Sequence, residues 1–388
     1  MLRAFVTAYP WDLIDEGIEP VLDRLQGEIG VTGMSLWAVV PPVVELRARD
    51  VEPRIFRTGG GLCFQPSERH YVETRFKPAV ADGVHGRESL RRISEACAKR
   101  GLDLRLIVSA AAAGRVVQRH PELACKNVFG DASQRNLCLA NPDVQSYLCG
   151  LAADLSSNYS WEGLSLIHFT LGWSEAFGDD LAVGVSLRDA ARRLLAICFC
   201  ESCRQKAVAA GVDVPAAARS AQVILEKHIN AEASTDTAPD ALGADNEPLT
   251  AYTHWRAAEL CSLLRRIKKA CAKELLLYRC TGALGADQLE EADQLEGLDL
   301  TIPDGIITRL RDSTDLASAR SPTAQRNELQ VSEAFVVGSD TGQLVSLMSH
   351  AVELGFTGIE ISNYGMLPDA TWIPIKQAFR FAKRSAPD

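Results

Sequence analysis

The feature that most constrains this chain is an alternation of short apolar runs with stretches of helical periodicity, kept up along nearly its whole length. Short buried strands separated by amphipathic helices are satisfied by parallel strands covered with helices. The runs predict eight strands: Arg3–Ala8, Gly33–Val39, Leu102–Ser109, Gly163–Thr170, Glu274–Cys280, Leu298–Ile302, Leu329–Glu333 and Gly358–Ser362. Helices are expected at Ile18–Glu28, Gly86–Lys99, Pro142–Ser157 and Gly342–Leu354, the last stopped by Gly355, with a closing helix at Trp372–Arg384. Eight such units predict an α/β fold, a (β/α)8 TIM barrel, with its working groups at the C-terminal ends of the strands. A chain of 388 residues fits one such barrel over residues 1–388. An open doubly wound sheet is the competing fold, but its first turn needs a Gly-rich phosphate loop, and Ala8-Tyr9-Pro10-Trp11 is not one.

The stretch between the fourth and fifth strands is far longer than an ordinary loop. It reads as a helical elaboration over residues 176–272, with helices at Arg188–Ala196, Val214–Asn230 and Thr253–Ala272. Inside it, Ala231–Pro248 is acidic, rich in small residues and aperiodic, which predicts a mobile loop. The same insertion could serve as a helical interaction module, giving a homo-oligomer.

The net charge is −9, and no basic stripe interleaved with aromatics is present. Nucleic acid and anionic membrane surfaces are therefore not expected as partners. No apolar run reaches the length that spans a bilayer, and Met1–Gly17 reads as a strand and its loop, with no leader pattern. Eleven cysteines, an odd number, argue for reduced thiols and a cytoplasmic setting. No Walker loop, H-E-x-x-H, G-x-S-x-G or G-x-G-x-x-G is found, so no organic cofactor is expected. Gly59-Gly60-Gly61 suggests a flexible loop near the barrel mouth.

The sharpest local motif is Cys198-Phe199-Cys200-Glu201-Ser202-Cys203. A C-x-C-x-x-C knuckle brings three thiolates within reach of one tetrahedral ion, and zinc wants four ligands. Cys138 is the best fourth, with Cys125 and Cys149 behind it. Four thiolates leave no open position, so such a zinc would be structural. Ordinary buried thiols are the competing reading.

The stretch from Cys138 to Ala207 resembles glycoside hydrolase family 42, the β-galactosidases of a large clan of retaining barrel glycosidases. The resemblance rests on Cys138-Leu-Ala-Asn141-Pro142, on Tyr159 before the fourth strand, and on the Cys198–Cys203 knuckle. A related set of uncharacterised glycosidase-like barrels shares Asn141-Pro142-Asp143-Val144, Asn158-Tyr159 and the Glu162-Gly163 pair, with an echo at Asn363-Tyr364-Gly365. The resemblance implies a TIM barrel, a zinc held by Cys138, Cys198, Cys200 and Cys203, and paired carboxylates at the ends of strands four and seven. One feature departs: the family has an Asn-Glu pair at the end of strand four, whereas this strand closes on Leu166-Ile167-His168-Phe169-Thr170.

Retaining glycosidases need two carboxyl groups about 5–5.5 Å apart, one as nucleophile and one as proton donor. Glu333, closing the seventh strand, is the candidate nucleophile or electrostatic stabiliser. Glu175, beside Trp173, is the nearest carboxylate to strand four, and the tryptophan face suits a sugar ring. His168 is the alternative proton donor, or a satisfied core histidine. Glu360 is flanked by isoleucines, so it must point into the barrel or pair with a buried partner. Arg279, late in strand five, suits a substrate carboxylate or an ion pair with Glu333 or Glu360. Asp304 follows the expected sixth strand. Tyr9, Trp11, Asp12 and Tyr364 come from the first and last loops, which neighbour each other in a barrel and would form an aromatic wall.

The function expected is therefore a glycosidase-like enzyme acting on a small sugar or glycoside through paired carboxylates. The alternative is a barrel of the same descent without hydrolysis, binding carbohydrate or running an isomerisation or elimination.

Overall fold

The computed structural model describes residues 2–49, 51–82, 88–172, 189–230, 246–281, 297–310, 316–317 and 319–386. Its centre is a ring of eight parallel strands. These are β1 (Arg3–Ala8), β2 (Gly33–Val40), β3 (Asp103–Ser109), β4 (Gly163–Ile167), β5 (Glu274–Thr281), β6 (Gly305–Leu310), β7 (Asn327–Val331) and β8 (Gly358–Ile361). Each strand pairs with the next in sequence. β1 also pairs with β8, Arg3 lying opposite Gly358, and that pairing closes the ring. The molecule is a (β/α)8 TIM barrel, and the open sheet is excluded.

Why these runs look almost continuously apolar follows from burial on both faces. Val6, Leu36, Leu106, Leu166, Leu277, Ile306, Leu329 and Ile359 join the core beneath the helices. The alternate residues point into the barrel. Two inward positions need glycine. A Cβ at Gly33 would lie 2.3 Å from the Phe5 ring, and one at Gly358 would lie 2.7 Å from the Glu328 carboxyl carbon.

The helices are α1 (Pro10–Glu16), α2 (Ser89–Arg100), α3 (Pro142–Asn158), α4 (Asp189–Ala196), α5 (Glu201–Ala209), α6 (Val214–Asn230), α7 (Glu247–Cys271), α8 (Glu333–Gly338), α9 (Thr341–Glu353) and α10 (Trp372–Ser385). Between β4 and β5 come α4 to α7. Helix α7 begins earlier than expected because Asn246 caps it, its side chain accepting from the Leu249 amide at 3.3 Å, with Pro248 in the first turn. The expected mobile loop lies, over residues 231–245, outside the described residues. Where one helix was expected at Ile18–Glu28, a short α-helix runs on into π-helical turns at Asp23–Ile29. Among the described residues no helix is long and apolar enough to cross a membrane.

Two further expectations are corrected. The sixth strand is Gly305–Leu310, and Leu298–Ile302 is a turn, because the Asp299 carboxylate accepts from both the Thr301 amide and the Thr301 hydroxyl. The Gly59–Gly61 run is no free loop. Gly61 and Leu62 add an antiparallel pair to the edge of β2, at backbone angles (Gly60 φ +80°, Gly61 φ +128°) that exclude other residues.

Candidate active site

The barrel lumen is layered, and the layers differ in chemistry. At the N-terminal end Arg105 donates two hydrogen bonds to Glu328, at 2.5 and 2.7 Å, with both side chains buried. The guanidinium also lies 3.8 Å from the centre of the Phe5 ring. Arg326 reaches Glu328 at 2.9 Å and Arg3 at 3.5 Å. Burial opposes the charge on Glu328, but these arginines, Arg105 foremost, hold its carboxyl below the ordinary glutamate range. This end is a charged plug.

Above it, Glu360 of β8 points inward and is fully buried. Its carboxyl accepts from the Ser35 hydroxyl on β2, from the Tyr278 hydroxyl on β5 at 2.6 Å and from the Gln330 amide on β7 at 2.5 Å. Burial nonetheless pushes this carboxyl above its usual range. Of the two sequence expectations for Glu360, the inward direction holds. Its partners are hydroxyls and an amide, and the arginine expected for it is absent from this contact set.

The mouth lies at the C-terminal ends. Glu333 is not the last residue of β7. Ser332 caps α8 through its side chain, and Glu333 opens that helix. Its carboxylate accepts from Arg309 of β6 at 3.2 and 3.3 Å, and both side chains remain partly exposed. Tyr9, at the end of β1, is near enough to feel both charges. His168 follows β4 with φ +55°, a left-handed conformation uncommon for a residue with a Cβ. Its Nδ1 lies 3.0 Å from Ser109 Oγ, and the Ser109 hydroxyl donates to the Ala112 carbonyl at 3.1 Å. With its own proton on the Ala112 carbonyl, Ser109 Oγ is placed to accept from an N–H at Nδ1.

The remaining candidates divide. Glu175 and Trp173 lie outside the described residues. Trp11 is buried, its indole N–H donating to Glu45 at 2.6 Å, and Asp12 is buried, accepting from the Tyr9 amide at 2.9 Å as part of the α1 cap. Burial raises the carboxyls of both Asp12 and Glu45. The first and last loops do touch, since Gly365 packs against Asp12. Tyr364, however, turns to the helix side. Its hydroxyl contacts Glu16 and Arg24, each at 2.9 Å, and Arg49 lies over its ring. Arg279 faces away from the lumen, its Nε donating to Thr308 Oγ1 at 3.2 Å, because strand parity sends its neighbour Tyr278 inward. Asp304 precedes β6 and so lies at the plugged end, accepting from Lys268 and from the Leu275 amide at 2.9 Å each. Sequence reasoning missed Arg309, Tyr278, Gln330, Ser35 and Ser109. Their signal was inward parity on strands whose register only the fold reveals.

The sulfurs of Cys138, Cys198, Cys200 and Cys203 lie within 4.8 Å of one another, all buried. Cys138 approaches Cys203 at 3.4 Å and Cys198 at 4.0 Å. These separations are too long for a disulfide, and they bracket the ~3.8 Å edge of a tetrahedron with zinc–sulfur bonds of about 2.3 Å. The Lys126 amide points at Cys198 Sγ at 3.4 Å. Cys125 donates to the Leu137 carbonyl instead, and Cys149 is not in the group. Burial opposes a thiolate at Cys198, but hydrogen bonds from the neighbouring thiols outweigh it and pull its ionisation well below the usual thiol range. The donor set fits a structural zinc.

No known protein family matches the sequence. No curated protein matches it either. Solved structures do match in fold. The α-L-fucosidase isoenzyme 2 of Paenibacillus thiaminolyticus superposes with a TM-score of 0.58 at 12% identity, over 99% of this chain and 49% of that one. The glycoside hydrolase domain of PgaB (BpsB) from Bordetella bronchiseptica gives 0.52 at 12% identity, covering 100% of both chains. A β-galactosidase from the psychrophilic Marinomonas ef1 gives 0.50 at 11% identity, over 98% of this chain and 59% of that one. The chain thus spans about half the length of the fucosidase. What it shares with these glycoside hydrolases is the barrel.

Proposed function

We propose that the protein is a glycosidase-like enzyme that acts on a sugar or glycoside at the C-terminal mouth of the barrel. The observation that carries this reading is Glu333, a partly exposed carboxylate in the first turn of α8 just past β7, held by an inward arginine, Arg309. The likeness of fold to a fucosidase, a β-galactosidase and the PgaB hydrolase domain supports it. In a retaining scheme Glu333 attacks the anomeric carbon, and Arg309 keeps it aimed. Proton transfer to the leaving oxygen falls to His168, protonated on Nε2 with Ser109 fixing Nδ1, or to Glu175. The buried Glu360 network forms the floor beneath the sugar.

The test is a panel of 4-nitrophenyl galactosides, fucosides and N-acetylglucosaminides. Glu333→Gln should lower turnover by about a thousandfold with the melting temperature nearly unchanged. Undiminished turnover would remove Glu333 from the chemistry. A wild-type protein that releases no chromophore would favour the second reading, a non-hydrolytic barrel, in which neutral His168 serves as a base through Nε2.

A structural zinc bound by Cys138, Cys198, Cys200 and Cys203 belongs to the same proposal. It would pin α5 to the chain at Cys138, just before α3, and, with four protein ligands, leave no position for substrate. Metal analysis should find one zinc per chain, lost in Cys138→Ser. Metal-free protein of unchanged stability would refute it.

A further inference from the structure

Trp37 is used by none of the chemistry above, and its surroundings are unusual. Its side chain points into the lumen, by parity with Ser35, which reaches Glu360 across the barrel. It packs with Ile107, Ile167, Tyr278 and Ile307, which line the lumen. One face ends a column of four rings. Trp37 stacks on Tyr9 at 5.6 Å, Tyr9 on Trp11 at 4.4 Å, and Trp11 on Phe56 at 4.4 Å, with interplanar angles of 23°, 13° and 22°. Tyr9, Trp11 and Phe56 are 8%, 1% and 6% exposed, whereas Trp37 is only half-buried. The Trp11 indole N–H is satisfied by Glu45, but that of Trp37 has no acceptor among the described residues.

A tryptophan placed only to fill the core would bury its ring and pair its N–H. Here a ring backed by three others, and therefore held in one orientation, stays half-buried with an unused donor. We infer that Trp37 is a stacking platform for a pyranose ring, the apolar C–H face of the sugar lying on the indole and a ring hydroxyl accepting from its N–H. The inference rests on the carbohydrate reading of the mouth and adds to it the wall on which the sugar lies, on the β2 side. A rigid platform loses little side-chain entropy on binding, which favours a small ligand.

Calorimetric titration and saturation-transfer NMR with methyl β-D-galactopyranoside, methyl α-L-fucopyranoside and N-acetylglucosamine test it. Wild-type protein should bind at least one of them, with saturation concentrated on the C–H protons of one sugar face. Trp37→Ala should weaken that binding by about tenfold or more, and Trp37→Phe, which keeps a ring but not the N–H, by less. Equal affinity in a folded Trp37→Ala would overturn the platform while leaving the carbohydrate reading intact. If that variant does not fold, unchanged affinity in Trp37→Phe together with saturation spread evenly over both sugar faces would overturn the platform. Wild-type protein that binds none of the three overturns both.

Discussion

Two arginine–glutamate pairs sit in the same barrel lumen, and they do opposite work. Arg105–Glu328 at the N-terminal end is buried, bidentate and reinforced by Arg3 and Arg326. Arg309–Glu333 at the mouth is longer, has one nitrogen serving two oxygens, and has both side chains exposed by about a fifth (21% and 23%). A buried pair cannot lose one partner without leaving an uncompensated charge in low dielectric, while a partly wet pair can. The first pair holds the fold, and the second leaves its carboxylate available. This division matches the general rule that barrel stability resides at the bottom face and chemistry at the top.

The comparison can be broken by substitution. Glu328→Gln should cost about 3–5 kcal/mol in chemical denaturation, since the buried Arg105 then keeps only the distant Glu274 carboxylate, at 4.0 Å. A loss below about 1 kcal/mol would mean that the plug is not what holds the bottom. The Glu328 carboxyl is held below its usual range, so its stabilisation is present above the ordinary glutamate pKa. It is lost as pH falls through the lower, folded value, and acid unfolding should begin there.

Glu360→Gln should have a smaller effect that depends on pH. Burial raises this carboxyl, so its contribution is complete below the ordinary glutamate pKa and is lost as pH rises through the folded value. The variant should therefore gain on the wild type with rising pH. A difference that stays constant between about pH 4 and about pH 8 would show that Glu360 does not titrate anomalously.

Ser109→Ala removes two hydrogen bonds, to His168 and to the Ala112 carbonyl, each worth about 0.5–1.5 kcal/mol of stability, and frees the His168 ring. The pH–rate profile should shift in this variant. An unchanged profile would leave Ser109 with a purely structural role. The smallest stability effect belongs to Glu333→Gln, within about 1 kcal/mol by thermal melting. A larger loss would erase the distinction between the two pairs.

The barrel was legible because each strand is apolar on its outward face, a pattern that survives without any partner. The cysteine knuckle was legible because it is local in sequence. Glu360 was legible as a charge between isoleucines, although its partner Ser35 is 325 residues away and could not be named. Arg279 and Arg309 show what was not legible. Both are late-strand arginines, and only strand parity sends one to the helix layer and the other to the mouth. The parity of β6 was hidden because Leu298–Ile302 is an apolar run that Asp299 folds into a turn before the true strand begins. Of the aromatic column, Tyr9 and Trp11 were legible, whereas Trp37 and Phe56 join them through side-chain stacking between distant parts of the chain, which leaves no periodic trace.

The Glu360 cluster also bears on how the chain is made. Ser35, Tyr278 and Gln330 emerge from the ribosome before their common acceptor, which lies on the last strand of the ring. Until β8 docks between β1 and β7, three donors face a lumen with no carboxyl to receive them. Assembly of the ring interior is thus completed after the other seven strands have been synthesised, and docking of β8 is the event that both seals the ring and satisfies its middle layer.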